Sequence, residues 1–360
     1  MKLISGSKVF RSEDEESWKL LISGFNYPLS DVYYDLKYLK VFEAYGEGKP
    51  ECFYFMQDKQ FAMYPFLINS VNKLGFNLSS DYYDIQGVYG YNGVLTNSYD
   101  PVFIDSFYNS FSEFCSNNNI IAEFTRFNPL LGNYKFSEKH MNVFKDRETV
   151  ALDLTRDYSD IWENEYSSKN RNIIRKARKM GYTSEVLRNP PETEIERFIT
   201  IYNSNMQMVN ATNYYFFNRD FFKNTFNLLG DYAHLINVLD NSGEVVCSSI
   251  FLHYGKYFHY HFSGRVNGSD NSVNSFLLDE AVIYAKGLGA KIFHFGGGRS
   301  SAPDDSLLKF KSNFSKTRLP FCIGKKVHNQ AVYNEVVKQW EAKNPEKIEK
   351  YKNRILKYRF

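Results

Sequence analysis

The sequence lacks the residue patterns that mark several common classes of enzyme. Its four cysteines are scattered and form no Cys-x-x-Cys pair, so we predict reduced core residues and neither a disulfide framework nor a zinc ribbon. No Walker loop, Rossmann glycine fingerprint or serine-hydrolase elbow occurs. The sequence therefore gives no support to a nucleotide triphosphatase, a dinucleotide-dependent enzyme or a serine hydrolase.

The chain also has a small net charge and no long apolar run. The formal net charge is +3, from 44 Lys and Arg against 41 Asp and Glu, and this surplus is too small to predict DNA binding. No segment approaches the roughly 18 consecutive apolar residues of a membrane-spanning helix. Residues 1–20 carry charges where a secretory signal would be apolar. We predict a cytoplasmic protein without a DNA partner, and a peripheral contact with the inner face of the membrane stays open.

Aromatic residues, in contrast, are abundant. The 28 Tyr and 32 Phe help to raise the aromatic fraction to 18% and the hydrophobic fraction to 43%, so large rings should carry much of the burial in the core. A chain of 360 residues is long enough for about two domains.

The order of predicted elements repeats once along the chain. Each half is predicted to contain a meander of three antiparallel strands, then a helix and a further strand. The predicted segments are 40–45, 51–56, 61–68, 103–117 and 120–127 in the first half, and 234–239, 245–254, 256–264, 274–287 and 291–295 in the second. This pattern predicts an α+β fold with two tandem domains, each a mixed and mostly antiparallel sheet flanked by helices.

We set the two domains at residues 1–150 and 151–330, followed by a helical tail at 331–360. Apolar residues recur in this tail at helical spacing. Lysine and glutamate alternate in its second half, which favours a solvated face that docks back on the body over an arm that binds nucleic acid.

Three successive glycines, Gly296 to Gly298, end an apolar strand near the C-terminus. Glycines without a Cβ allow the backbone to approach a ligand closely. Arg299 and Lys311 follow, and they offer cations to an anion or to an oxyanion that develops in a transition state. An ordinary flexible loop is the alternative interpretation.

Four segments in a fixed order carry a family resemblance: 84–95, 162–181, 293–314 and 320–327. The first is similar to a segment written Asp-Ile-x-x-x-Tyr-Gly-Tyr-Gly-Gly-Pro, with Asn92 and Val94 in place of a Gly and the Pro. Together they resemble the Fem family of peptidoglycan bridge-forming aminoacyltransferases, and its relatives in the GNAT acyltransferase superfamily. The resemblance implies an amide-forming acyltransferase with two GNAT-like domains.

The resemblance also implies catalytic roles. Lys311 lies where the Fem family has a Phe-Lys lysine that stabilises the transferring carbonyl, and an ordinary solvent-facing charge is the alternative. From the residues alone, Asp84, Asp304 and Asp305 are possible proton acceptors. The place of Asp305 beside the Lys-bearing segment favours it, although water or substrate could serve instead. The predicted catalytic residues are therefore Lys311 and Asp305.

Predicted substrate contacts come first from the Tyr-Gly-Tyr loop. The resemblance places this loop on the acceptor side, where Tyr89 and Tyr91 would form the wall of a sugar or peptide pocket and Asp84 stands at its start. Packing of the two rings on the core is the alternative. Arg299, after the glycines, is a further predicted substrate contact.

A basic helix supplies the other predicted substrate contacts. Spacings of four and three place Arg171, Arg175 and Arg178 on one face. Guanidinium groups suit a diphosphate or the phosphate chain of an RNA, so we predict substrate binding by Arg171 and Arg175. A solvated face is the alternative.

The segment from Arg265 to Ser272 joins a predicted strand to a predicted helix. In GNAT enzymes this connection binds the pyrophosphate of coenzyme A, and unpaired N–H groups at a helix start suit a phosphate. The predicted cofactor-binding residues are Arg265, Gly268, Asn271 and Ser272. Asp270 replaces the last small residue of the family pattern, and a plain helix cap is the alternative.

His259 and His261 alternate with aromatic residues, so both imidazoles would leave one face of a strand. A zinc pair is one interpretation. Because the sequence offers no third ligand at a telling distance, we predict half-buried strand histidines and no metal.

We predict that the enzyme acylates an amine of a cell-envelope precursor. In one version acyl-coenzyme A acylates an aminosugar of a surface polysaccharide precursor, and in a second an aminoacyl-tRNA extends a peptidoglycan stem peptide. In a third version the chain is a catalytically silent binding protein that kept the fold. The long helical arm of larger Fem enzymes has no counterpart here, which favours the first version. The expected acceptor is a small-molecule or lipid-linked sugar or peptide, with tRNA as a partner in the second version; the oligomeric state stays open.

Overall fold

The computed structural model describes residues 6–24, 30–302 and 304–360, and within these the chain forms two compact units. The first unit runs to Asp146 and takes up Phe321–Phe360, and the second is Arg147–Pro320. The sequence set boundaries at 150 and 330. The units instead divide after Asp146 and after Pro320, and the C-terminal segment packs within the first unit.

Both units contain helices and strands. The helices are α1 (Glu15–Gly24), α2 (Leu36–Tyr45), α3 (Pro101–Asn117), α4 (Tyr158–Asp160), α5 (Ser168–Lys179), α6 (Glu192–Met208), α7 (Arg219–Leu229), α8 (Ser272–Gly287), α9 (Ser306–Lys311), α10 (Gln330–Lys343) and α11 (Ile348–Tyr351). The strands are β1 (Gly6–Arg11), β2 (Lys49–Gln57), β3 (Gln60–Ser70), β4 (Tyr83–Gln86), β5 (Leu95–Thr96), β6 (Ile120–Arg126), β7 (Asn142–Asp153), β8 (Thr183–Leu187), β9 (Ala233–Leu239), β10 (Val245–Tyr254), β11 (Tyr257–Arg265), β12 (Ile292–Gly297) and β13 (Arg318–Val327).

The sheet of the first unit is mostly antiparallel. Strands β1 to β4 pair with their neighbours in order, each antiparallel to the next, and β4 pairs with β6 in parallel. Residues Ile323–Val327 of β13 then add an antiparallel strand to β6. A cluster of buried rings fills the space between this sheet and α3, with Phe53, Phe107 and Phe111 at its centre. The aromatic core expected from the composition is therefore present in this unit.

The second unit repeats the same order of elements. Strands β8 to β11 form an antiparallel run, β11 pairs with β12 in parallel, and residues Thr149–Asp153 of β7 add an antiparallel strand to β12. From β1 in the first unit and from β8 in the second, the chain passes through a strand, two helices, three strands, a helix and a strand; the two-residue β5 is an addition in the first unit. The predicted α+β class, with mixed and mostly antiparallel sheets flanked by helices, is confirmed.

One predicted strand is wrong. The sequence placed a strand at 40–45, but this segment is the second half of α2, and β1 is the strand that pairs with β2. The side chain of Asp35 accepts a hydrogen bond from Lys37 N, and Gly46 ends the helix with φ of 94°. An Asp before and a left-handed Gly after an apolar stretch are the ordinary caps of a helix, and these signals outweigh the β-propensity of 41–45.

The predicted tail forms α10, α11 and the turns after them. Val332, Val336 and Trp340 are buried against the first unit's β6 side. The helical spacing predicted Tyr333, Val336, Val337 and Trp340, and of these Tyr333 and Val337 are only partly buried. The preferred interpretation of the tail, a face that docks back on the body, agrees with this packing.

Candidate active site

Strands β11 and β12 of the second unit stop pairing shortly before the three glycines. They pair only over Tyr257–His259 and Ile292–His294, although β11 continues to Arg265 and β12 to Gly297. The register of β12 against β7 also shifts after His294. Gly296 at this irregularity has φ of 75°, a left-handed conformation that a residue with a Cβ adopts at a cost. The glycines therefore build a bent and half-buried strand end.

Lys311 is fixed at this bend. It ends α9, only 7% of its surface is exposed, and its Nζ donates a 2.8 Å hydrogen bond to the carbonyl oxygen of Gly297. The same Nζ lies 5.5 Å from the centre of the Tyr260 ring. Burial lowers the pKa of Lys311 to about 7, while Asp305 acts in the opposite direction. The structure thus brings together the glycine run and the lysine that the sequence singled out.

Asp305 organises the loop that follows the glycines. Its Oδ2 accepts hydrogen bonds from the backbone N–H of Arg299 and Ser300 at 3.0 Å each, and its Oδ1 accepts from Leu307 N and Leu308 N at the start of α9. Burial alone would raise the pKa of Asp305, but these hydrogen bonds bring it below the ordinary value. A carboxylate held in this way is a poor proton acceptor, so we do not retain Asp305 as the catalytic base and assign it the positioning of Lys311's helix.

The last glycine of the run admits no side chain. A Cβ on Gly298 would lie 2.4 Å from Asp305 Oδ1 and 3.1 Å from Leu308 Cβ. Arg147 donates a 3.0 Å hydrogen bond to the carbonyl oxygen of Gly298. Arg299 itself is exposed, so its guanidinium remains a candidate substrate contact.

Two histidines beneath the bend were not predicted as a pair. His259 on β11 and His294 on β12 are each 1% exposed, and their Nδ1 atoms lie 3.4 Å apart. Burial, His259 and Lys311 together hold the pKa of His294 well below its ordinary value. The sequence paired His259 with His261 instead, and burial lowers the pKa of His261 to about 3. His294 directly precedes Phe295 and the three glycines. This position was the sequence signal that could have pointed to His294 as a residue of the site.

The predicted donor loop is closed by its own side chains. Arg265 donates to the carbonyl oxygen of Ser269 at 2.9 Å. Asp270 accepts from Ser272 N at 2.8 Å at the start of α8, and its other oxygen lies 2.6 Å from Nζ of Lys176. The Lys176 ammonium and Ser272 hold the pKa of Asp270 far below its ordinary value. A carboxylate therefore occupies the helix start where a pyrophosphate would bind.

The other predicted residues of this loop contribute conformation more than contacts. Gly268 has φ of 84°, which its turn requires, and Asn271 precedes α8 without a side-chain cap. Within the described part of the chain, the buried hydroxyl of Ser272 has no hydrogen-bond partner. The geometry corresponds to the plain-cap alternative, with Asp270 in the capping role.

The basic helix α5 uses two of its three arginines internally. Nη1 of Arg171 donates to the carbonyl oxygens of Trp162, Glu163 and Tyr166, the closest at 2.7 Å. Arg171 therefore holds α5 against the helical turn that precedes it, and we no longer propose it as a substrate contact.

Arg178 pairs with a buried carboxylate that the sequence did not reveal. Its Nη2 lies 2.7 Å from Oδ2 of Asp279 on α8, and Tyr158 donates to the other oxygen at 2.8 Å. Burial raises the pKa of Asp279 to about 6, with Tyr158 and Arg178 acting against it. Arg175, in contrast, is exposed and stacks 5.4 Å from the ring of Trp162, so it is the arginine of this face that can reach a ligand.

In the first unit, Asp84 is fully buried and paired. Both of its oxygens accept hydrogen bonds from Nε of Arg359, at 2.9 and 2.8 Å. Burial raises the pKa of Asp84, and Arg359 opposes this shift. The predicted substrate contact is therefore replaced by an internal ion pair that anchors the C-terminal segment.

The two tyrosines of the Tyr-Gly-Tyr loop pack around Tyr33. The rings of Tyr33 and Tyr91 meet edge to face at 5.1 Å, and Tyr38 donates a 2.7 Å hydrogen bond to the carbonyl oxygen of Tyr89. Gly90 between them has φ of 106°, and a Cβ there would lie 2.3 Å from the Tyr33 ring. The Tyr91 ring also packs on Phe321, with ring centres 5.5 Å apart. Both tyrosines are half-buried, and they stay predicted substrate contacts.

Two further features of the described chain concern metal ions and membranes. Across residues 6–24, 30–302 and 304–360, no three His, Cys, Asp or Glu side chains gather as metal ligands would. In the same part of the chain, no helix combines the length and apolar character needed to cross a bilayer.

Comparisons with known proteins agree with the motifs. Residues 167–311 match the model of the acetyltransferase (GNAT) domain family. The UDP-N-acetylmuramoylpentapeptide-lysine N(6)-alanyltransferase of Weissella viridescens is 25% identical over 61% of this chain and 67% of its own length. A crystal structure of FemX shares the fold at a TM-score of 0.67, with 13% identity over 91% of this chain and 98% of that one.

A conserved protein of unknown function from Bacteroides thetaiotaomicron also shares the fold, at a TM-score of 0.55 and 9% identity, over 89% of this chain and 99% of that one. The family match lies in the second unit and ends at Lys311, the residue that the triglycine bend holds. Together the ordered motifs, the GNAT-domain match over residues 167–311 and the alanyltransferase relative support an acyltransferase of the Fem-like branch of the GNAT superfamily.

Proposed function

We propose that this protein is an aminoacyltransferase that moves an aminoacyl group from a charged tRNA to an amine of a peptidoglycan precursor peptide. One observation carries the proposal: the buried Lys311 is held 2.8 Å from the carbonyl oxygen of Gly297 at the half-buried end of β12. An N–H donor of this kind can bind an oxyanion in a site that excludes water.

The proposed reaction is acyl transfer from oxygen to nitrogen. The acceptor amine attacks the ester carbonyl carbon of the aminoacyl group, so that a C–N bond forms and the C–O bond to the terminal ribose breaks. The amine loses a proton and the ribose oxygen gains one. Lys311, as an ammonium, would stabilise the negative oxygen of the tetrahedral intermediate, because that charge is absent from the ground state.

The donor assignment rests on the closed loop before α8. Coenzyme A would need the N-terminus of α8 for its pyrophosphate, and Asp270 already accepts from Ser272 N there. A second negative group at that position would be repelled by the Asp270 carboxylate. A tRNA ester has no such pyrophosphate, so the closed loop favours it over acyl-coenzyme A, the donor that the sequence favoured.

The acceptor assignment rests on the alanyltransferase relative, whose name specifies the lysine of a UDP-N-acetylmuramoyl pentapeptide. We infer an acceptor of the same chemical class, a primary amine on a muramoyl stem peptide that carries a diphosphate. The exposed cations Arg175 and Arg299 are the candidates to bind its phosphates. Such an acceptor and a tRNA donor place the reaction in the cytoplasm.

The proposal is tested by combining each candidate donor with each candidate acceptor. The purified chain is incubated with radiolabelled aminoacyl-tRNAs or with radiolabelled acetyl-coenzyme A, each with UDP-N-acetylmuramoyl pentapeptide or with an aminosugar. We expect label on the pentapeptide from a tRNA donor, lost in Lys311→Met and kept in Lys309→Met, whose exposed side chain lies on the same helix. Label on the aminosugar from acetyl-coenzyme A would overturn the proposal in favour of the polysaccharide version, and no label in any arm would favour the binding-protein version.

A further inference from the structure

A basic groove on the first unit has no role in the chemistry described so far. It has a volume of about 220 Å³ and lies where β13 and the C-terminal segment 352–357 meet. Four cations line it, Lys325, Lys352, Arg354 and Lys357, and its lining contains no carboxylate among the described residues. The whole chain carries only three more basic than acidic residues, so this groove concentrates positive charge.

The groove is held open by fixed backbone. Nζ of Lys325 donates to the carbonyl oxygen of Asn353 at 2.6 Å, and the Tyr333 hydroxyl donates to that of Ile355 at 2.7 Å. These two bonds, from β13 and α10, fix the segment that carries the other three cations. The docked tail therefore presents its charges in one place and does not leave them scattered in solvent.

Partial neutralisation leaves a clear surplus of positive charge. Lys352 pairs with Glu349, and Lys357 lies 3.6 Å from Glu341, but both acids stand outside the groove lining. Arg354 stacks on Phe360, 4.3 Å from the ring centre, and forms no ion pair within the described residues. An anionic ligand could contact these cations without displacing a carboxylate from the groove.

An exposed ring completes the groove. Phe144 is 50% exposed, lines the groove and lies 5.4 Å from Nζ of Lys325. An exposed aromatic ring beside cations is the arrangement with which proteins bind single-stranded nucleic acid, because the ring stacks on a base while the cations contact the phosphates. A flat membrane surface would favour cations around a protruding apolar residue, whereas here ring and cations line a concavity.

We propose that this groove binds single-stranded RNA, with Phe144 as the stacking platform and the four cations as phosphate contacts. The biological meaning of this site rests on the proposed function, because a tRNA donor would present such a strand. Loss of RNA binding in the groove and loss of the tRNA-dependent reaction can nevertheless be measured separately.

Fluorescence anisotropy with a labelled single-stranded RNA, at 0.05 to 0.5 M salt, tests the site in the full-length chain. Each phosphate contact adds about 0.7 to the slope of log affinity against log salt for single strands. The double variant Lys352→Gln, Arg354→Gln should therefore reduce the slope by about 1.4 and weaken binding about 25-fold at 0.1 M salt. Phe144→Leu should weaken binding while leaving the salt slope unchanged, because stacking carries no charge.

Lys338→Gln provides a matched control, since this exposed lysine on the same tail lies outside the groove lining. It should bind RNA like the wild type, and circular dichroism should show all variants folded. Equal RNA affinities and equal salt slopes for the wild type and the double variant would overturn the proposal. The proposal would also be overturned if a groove variant lost its binding to vesicles of anionic phospholipid but kept its RNA affinity.

The same variants separate this site from the proposed function. If the groove variants keep both their RNA binding and their tRNA-dependent transfer, the groove proposal is refuted and the proposed function is not. Groove-dependent RNA binding in a protein that transfers only from acetyl-coenzyme A would support the groove and refute the donor assignment.

Discussion

Replacing Lys311 by Met should make the protein more stable and less active. A pKa that falls from 10.5 to about 7 means that burial disfavours the ammonium of Lys311 by about 5 kcal/mol. Loss of the 2.8 Å hydrogen bond to Gly297 would cost about 1 kcal/mol. We therefore expect Lys311→Met to gain about 4 kcal/mol in free energy of unfolding when the lysine would be charged.

The pH dependence of this gain has a definite sign. In the unfolded chain the lysine keeps its proton up to about pH 10.5, whereas the buried amine releases it near pH 7. Between these values the unfolded wild type binds more protons, so its stability rises with pH. The advantage of Lys311→Met should be full at pH 6 and should have largely disappeared by pH 9.5.

Two assays check these expectations. Urea unfolding followed by circular dichroism at pH 6 and pH 9.5 measures the stability gain, with Lys309→Met as the control that changes an exposed lysine on the same helix. Turnover should fall about 100-fold or more if the ammonium stabilises the transferring carbonyl. A gain of equal size at both pH values, or a variant with normal turnover, would refute the reasoning.

Two further predictions concern arginine side chains. Arg359→Met leaves the buried Asp84 without its cation and should cost about 3 to 5 kcal/mol of unfolding free energy. Because the Asp84 pKa would then rise further, the deficit should be smaller at pH 5 than at pH 8 in a urea titration, and a pH-independent deficit would contradict this. Arg175→Gln should raise the Michaelis constant of a diphosphate-bearing acceptor without changing stability, whereas Arg171→Gln should lower the melting temperature because it frees three carbonyl groups. Steady-state kinetics and thermal unfolding distinguish the two, and a stability loss in Arg175→Gln alone would contradict the assignment.

Local sequence signals were sufficient for most of the fold. The meander of the second half, α3, α8 and the tail helix follow from hydrophobic periodicity and from turn residues close by in the chain. The failure at 40–45 also had a local remedy, because Asp35 and Gly46 bracket a helix and could have been weighed against β-propensity.

The candidate site was predictable only where its parts are neighbours in sequence. Gly297 and Lys311 are 14 residues apart, and a short helix suffices to bring them together. Asp305 was predicted as a proton acceptor, whereas its role as the cap of α9 emerged only from its hydrogen bonds. His259 and His294 meet because β11 and β12 pair in parallel, and no local pattern specifies such a pairing.

The sequence by itself determined that two copies of one α+β plan follow each other, that large rings carry much of the burial, and that a lysine follows a glycine bend. These properties depend on residues within one or two elements of each other. Only the tertiary structure decided which charged groups are free to act. Asp84 is neutralised by Arg359 from 275 residues away, Asp270 closes its own loop with Lys176, and the cations of the tail gather beside Phe144. The physical reason is that the free energy of a charge depends on its burial and its partners, and both are set by contacts between distant parts of the chain.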